Sequence, residues 1–225
     1  MGAARLGFDP AVSSNFYVFV LLHEIMLGFN MIAGVEVYSS ETRTWVHKKK
    51  GWRENMIDYV LISGTVFLNG FLHFHASGTR SSLCLAAVDT RGETWTLFCI
   101  PGDVRNGYMQ QSQGSLHYSK FQRGKGGVVV GLVVYVLKDY DNKVWILKHS
   151  VAKSHISGGT HLTDYRGIVI HPQCDMMFFT EGRTTKFVCY NMDSVQTKVI
   201  SNLEYGYPLY LPYVPFYAKL QSFQK

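Results

Sequence analysis

Two histidines, His73 and His75, stand two residues apart in the run "FLHFHA" and would share one face of a β-strand, a spacing that can aim two imidazoles at one metal ion. No cysteine pair or adjacent carboxylate completes a ligand set, and His73 has a counterpart at His117 in "SLHY". The expected reading is therefore structural or surface histidines. A looser group, His155, His161 and His171 with Asp164, falls in a turn-rich region where a metal or acid–base site could assemble. "HEIM" at His23 supplies only the first half of a His-Glu-x-x-His zinc motif. No Gly-x-Ser-x-Gly elbow or Gly-x-Gly-x-x-Gly loop is found. No catalytic, cofactor-binding or metal-binding residue is assigned, and the chain is expected not to be an enzyme.

Cations cluster in "HKKKGWR", where Lys48, Lys49, Lys50 and Arg53 flank Trp52, a composition that suits a nucleic-acid backbone. Lysines in an inter-strand loop also discourage edge pairing, and that reading is preferred, so nucleic acid is not an expected partner. The same holds for "RGKGG", Arg123 to Gly127, which lacks the full Gly-x-x-x-x-Gly-Lys-Ser/Thr phosphate loop.

The elements that must position these side chains read as strands. Apolar runs such as "FYVFVLL", "VEVYS", "VVVGLVVYVL" and "DMMFFTE" are rich in β-branched and aromatic residues, and "SSETR", "DTRGE", "KDYDN" and "NMDSVQ" separate them with turn formers. Trp45, Trp95 and Trp145 recur at intervals of fifty, each after a polar turn. Gly64, Gly114 and Gly167 recur at a similar period, and "NGFLHF" echoes "QGSLHY". Markers at one period predict a repeated unit of about four short strands, as in propeller blades. The expected fold is an all-β propeller or partial propeller forming one domain over 1–225, with approximate blades at 16–50, 59–101, 113–151 and 166–203. In the fourth unit Lys198 or its neighbour takes the tryptophan phase. A four-stranded sheet must stack between neighbours to bury both faces, so the tryptophans are expected to fill the widening wedge between blades.

The totals agree with a folded protein: 47% hydrophobic residues against 17% charged is far from the signature of disorder. Cys84, Cys99, Cys174 and Cys189 show no Cys-x-x-Cys spacing and read as buried strand residues in a reducing compartment. The N-terminus lacks a secretory pattern, and the two most apolar segments are interrupted or too short to span a bilayer, so a cytoplasmic or nuclear protein without a membrane partner is expected.

"GFDPAVSSNFYVFVL" followed by "VEVYSSETRTW" resembles the C-terminal F-box-associated interaction domain of plant, particularly grass-type, F-box proteins. The order continues with "VFLNGFLHF", "LAAVDTRGETWTLFCIP", "GSLHYSKF", "VWILKHSV", "IVIHPQCDMMFFTEG" and "YPLYLPYVPFYAKL", from about Gly7 to Leu220. The resemblance implies a kelch-like β-propeller that recognises a protein target for an SCF-type ubiquitin ligase. No F-box segment precedes Gly7 here, so the chain is expected to be truncated and to reach the Skp–cullin adaptor only if an F-box lies upstream. The target and its binding residues are left unassigned. The alternative function is a propeller-type enzyme in which His73, His117 and Asp175 converge near the central channel, or nucleic-acid binding through the Lys48–Arg53 loop.

Overall fold

The computed structural model describes residues 4–10, 12–26, 29–49, 56–58, 64–78, 83–101, 107–157, 165–181 and 186–202. The chain is all-β, a partial propeller in which the described residues form four blades. The first blade holds β1 (Ala4–Phe8), β2 (Phe16–Met26), β3 (Phe29–Ser39) and β4 (Thr44–Lys49). A bridging strand, β5 (Met56–Asp58), leads to the second blade: β6 (Val66–Leu68), β7 (Phe71–Gly78), β8 (Leu83–Asp89) and β9 (Trp95–Phe98). The third comprises β10 (Tyr108–Ser112), β11 (Ser115–Arg123), β12 (Val129–Asp139) and β13 (Val144–Ala152), followed by the short helix α1 (Lys153–Ile156). The fourth comprises β14 (Tyr165–Ile170), β15 (Met176–Glu181), β16 (Lys186–Asn191) and β17 (Gln196–Asn202). Every pairing within a blade is antiparallel. The first strands of successive blades touch, β1 with β6, β6 with β10 and β10 with β14, which places them around a common axis.

Turn chemistry explains the repeat. Asn69–Gly70 and Gln113–Gly114 join first to second strands in two-residue hairpins in which both residues have positive φ, the geometry that matches the twist of the flanking strands. The shared "NGFLHF" and "QGSLHY" are these hairpins and the strands they start. At the entry to the outer strand, Arg43, Lys143 and Val195 take left-handed backbone two residues before Trp45, Trp145 and Thr197. Thr197, the neighbour of Lys198, therefore holds the tryptophan phase in the fourth blade.

Three cores lie in the three seams. Phe19, Leu21, Val35 and Val37 of the first blade meet Leu72, Phe74, Ala86 and Val88 of the second, and Trp95 packs at the rim of that cluster. Leu85, Ala87 and Phe98 meet Met109, Leu116, Tyr118 and Leu137, with Trp145 at the rim. In the third seam Leu132, Val134 and Val151 meet Ile168, Met177, Phe179 and Tyr190. There α1 inserts the fully buried Ile156, and Thr197 donates its hydroxyl to the His155 carbonyl at 2.6 Å. A helix thus fills the wedge that a tryptophan fills in the other two seams. Trp45 departs from the expected packing role: it is 55% exposed and leans on Tyr38 of its own sheet, with ring centroids 5.4 Å apart. Its side chain points to the face of the first blade opposite the second.

The "HEIMLGFNMIAG" segment extends the β2–β3 hairpin, whose pairing runs to Met26↔Phe29. The extension lets β5 pair with both β3 (Met31↔Ile57) and β7 (Ile57↔Ser77), which merges the first two blades into one nine-stranded sheet.

Candidate functional site

The histidines matched in the repeat occupy equivalent places. His73 on β7 and His117 on β11 are fully buried and project toward the following blade, while their neighbours Leu72 and Leu116 project toward the preceding one. Nδ1 of His73 lies 3.1 Å from the Val66 carbonyl, and Nδ1 of His117 lies 3.1 Å from the Ser115 carbonyl. A carbonyl only accepts, so both rings carry their proton on Nδ1 and present Nε2 as an acceptor. Nε2 of His73 receives the Tyr140 hydroxyl at 2.9 Å, and Nε2 of His117 receives the Lys148 ammonium at 3.3 Å. Burial lowers both imidazole pKa values, that of His73 to about 4, which keeps the rings neutral.

Around His117 the polar groups converge. Lys148 on β13 donates to Oδ1 of Asp175 at 2.6 Å, and Gln113 Nε2 donates to the same oxygen at 2.7 Å. These bonds, chiefly that from Lys148, hold the Asp175 carboxyl below its usual pKa. Lys148 and Asp175 are largely buried, with side chains 22% and 24% exposed. Next to them Gln113 N–H reaches the Pro172 carbonyl at 2.7 Å, and the Ser112 hydroxyl reaches the His171 carbonyl at 2.7 Å. Deeper in the seam, the Gln110 side-chain amide bonds to the Ile168 carbonyl and the Ile170 N–H, taking the place of a strand backbone between β10 and β14. Gln110 and Ser112 thus tie the first strands of the two blades, while His117, Lys148 and Asp175 reach the same seam from β11, β13 and the turn before β15.

Other candidates are distributed differently. His75 is buried against Tyr118, with ring centroids 6.0 Å apart, and neither ring nitrogen has a hydrogen-bond partner. Having no partner of its own, it shares no ligand with His73. His171 accepts the Gln173 N–H on Nδ1 at 3.1 Å, and His155 sits on α1; His161 and Asp164 lie outside the described residues. Among the described residues, no group of three His, Cys, Asp or Glu side chains is close enough to hold a metal ion. Lys48 is drawn from the cationic run into an ion pair with Glu93 of the second blade at 2.8 Å; Lys50, Trp52 and Arg53 lie outside the described residues. Cys84 and Cys189 are buried on strands as expected, whereas Cys99 is exposed and Cys174 sits in the turn before β15. Among the described residues no helix is long and apolar enough to cross a membrane. The sequence reading grouped His73, His117 and Asp175; the structure joins the last two through Lys148, which that reading missed, and leaves His73 in the second seam against Tyr140. The signal of Lys148 was faint, a lysine three residues after the repeating tryptophan, as Lys48 is after Trp45.

Among solved structures the chain is similar to a glycoside hydrolase at 11% identity, covering 89% of this chain and 49% of that one with a TM-score of 0.44. It is similar to YjhT at 8% identity, covering 90% and 66% with a TM-score of 0.46. It is also similar to a GH43_1 enzyme from Xanthomonas citri complexed with xylose at 11%, covering 84% and 68% with a TM-score of 0.37. The chain spans about half the length of the glycoside hydrolase and about two thirds of YjhT. Because His117, Lys148 and Asp175 are brought together at one seam, the expectation of a non-enzymatic substrate receptor for a ubiquitin ligase is withdrawn. At these identities and TM-scores neither activity nor substrate is carried over. No curated protein matches the sequence. Residues 8–207 match the family model of the F-box protein At3g26010-like β-propeller, so the chain belongs to that propeller family.

Proposed function

We propose that the seam between the third and fourth blades is a propeller-type site for a hydroxylated polar ligand, with acid–base capability. The observation that supports this is the convergence of Lys148 on Asp175 and His117 in that seam. The ionised Asp175 has one oxygen engaged by Lys148 and Gln113 and a second able to accept a ligand hydroxyl. Lys148 has a remaining N–H to donate to a ligand oxygen, and its charge would stabilise negative charge developing there. His117 is neutral and fixes the direction of the ammonium. The cluster holds one carboxylate, whereas most glycoside hydrolases use two, so single-base activation of a hydroxyl or water fits it better than glycosidic cleavage by a carboxylate pair.

The test is a screen of the folded chain for binding and turnover against chromogenic acyl esters, glycosides and simple polyols. Activity or binding lost in Asp175→Asn and weakened in Lys148→Met, with melting behaviour retained, is the expected result. A folded protein that neither binds nor turns over any of these classes would overturn the reading.

A further inference from the structure

The second and third seams follow one plan but differ in the side chains that surround their matched histidines. Cross-strand partners share a sheet face. In the second blade one row of partners runs Val66, His73, Ala87, Thr96, and in the third the matching row runs Gln110, His117, Val136, Ile146. Rings seal the seam around His73. Phe98, three residues after Trp95, is fully buried with its centroid 5.8 Å from the imidazole, and Tyr140 of the next blade lies 5.7 Å away. At the same phases the third seam has Lys148, three residues after Trp145, and Met192, which precedes Thr197 by five residues as Tyr140 precedes Trp145. Met192 is buried in the core of that seam. An ammonium and a thioether thus take the phases of the two rings.

The outer half of the third-blade row is apolar and open to solvent. Ile146 is 43% exposed and Val136 is half-buried, whereas Ala87, at the place of Val136 in the second blade, is fully buried. Val136 lies one strand out from His117 and Ile146 one strand further, each step about 5 Å. The two side chains therefore form a rail leading away from the imidazole that meets Lys148. On the other side of Lys148, Asp175 is held through its backbone as well as its carboxylate: its carbonyl accepts the Met192 N–H at 2.9 Å. A charged pair and an apolar rail thus adjoin in one seam.

We propose that this seam takes an amphipathic ligand, with a hydroxyl at Asp175 and Lys148 and an aryl or alkyl group along Val136 and Ile146. This rests on the Asp175–Lys148 pair being a hydroxyl-binding site, and adds the class of ligand: aryl- or alkyl-substituted alcohols in preference to bare polyols. A polyol leaves Ile146 in water. An aryl group laid over it removes apolar surface from water on both partners, which favours binding roughly in proportion to the area covered.

The experiment is an NMR titration of the full chain, labelled at its isoleucine methyls, with two probes that share a diol: 3-phenoxypropane-1,2-diol and propane-1,2-diol. The aryl diol is expected to bind about tenfold more tightly and to shift the Ile146 δ1 methyl. Its advantage should disappear in Ile146→Thr, which keeps the β-branching that suits a strand. Asp175→Asn should weaken both diols alike. If neither diol binds, the hydroxyl site fails and the amphipathic reading with it. If both bind through Asp175 with equal strength, or the aryl preference survives Ile146→Thr, the hydroxyl site stands and the apolar rail is overturned. The methyl shift is read in the parent chain, so the test does not depend on the folding of a variant: an Ile146 methyl unmoved at saturation with the aryl diol overturns the rail equally.

Discussion

Nε2 of His73 accepts a hydrogen bond from the Tyr140 hydroxyl 2.9 Å away, across the seam between the second and third blades. His73 is fully buried, so water cannot replace a lost donor. Tyr140→Phe keeps the ring contacts with Phe71 and Phe98 but orphans that nitrogen. The expected cost is about 1–3 kcal/mol, read by urea unfolding. An unchanged midpoint would show that the bond contributes nothing.

His73 and His75 both bind protons more weakly in the folded state, each lowered by burial to about 4. An unfolded histidine takes its proton near pH 6.5, so between pH 6.5 and about 4 the unfolded state holds more protons. Stability is therefore full above pH 6.5 and falls as pH drops through that window, by on the order of 3 kcal/mol per histidine. His75→Leu removes an unpartnered imidazole and should flatten the pH dependence of unfolding measured between pH 7 and pH 4. A profile as steep as that of the parent chain would refute it.

Lys148→Met removes the ammonium from both Asp175 and His117. The Asp175 carboxyl should then titrate at higher pH than in the parent chain, seen as a shift in its carboxyl carbon resonance. Because the pair is still partly exposed, its coupling in a double-mutant cycle with Asp175→Asn is expected to be about 1 kcal/mol.

The tryptophans should not be equivalent. Trp145→Ala opens space at the rim of the second seam and is expected to cost about 2–4 kcal/mol. Trp45→Ala removes an exposed side chain and should cost less than about 1 kcal/mol in the monomer. Equal shifts in melting temperature would show that Trp45 is covered in solution.

The architecture was legible because its signals are local: a tryptophan two residues past a left-handed turn, and a two-residue hairpin with two positive φ angles, each written within a few positions of one strand. The pairing of His73 with His117 was legible for the same reason. What joins them to other blades was not, because Tyr140 and Lys148 lie 67 and 31 residues from the histidines they serve. Gln110 was invisible, since nothing in a glutamine announces that its amide will stand in for a strand. The exposed setting of Trp45 was missed because the repeat reports which face a residue points to and not whether anything lies there. In the fourth blade Thr197 is small because Ile156 on α1 occupies the wedge, a substitution between distant residues that no period reveals.

Strand β5 gives the first two blades a continuous backbone ladder from β3 to β7, whereas the third seam is closed by Gln110, Gln113, Ser112 and the Lys148–Asp175 pair. Compliance is therefore uneven around the axis. The first two blades are expected to move as a plank, with breathing concentrated where side chains do the joining. A ligand held by Asp175 and Lys148 would rest on a joint, and its arrival would be felt as stiffness in the fourth blade.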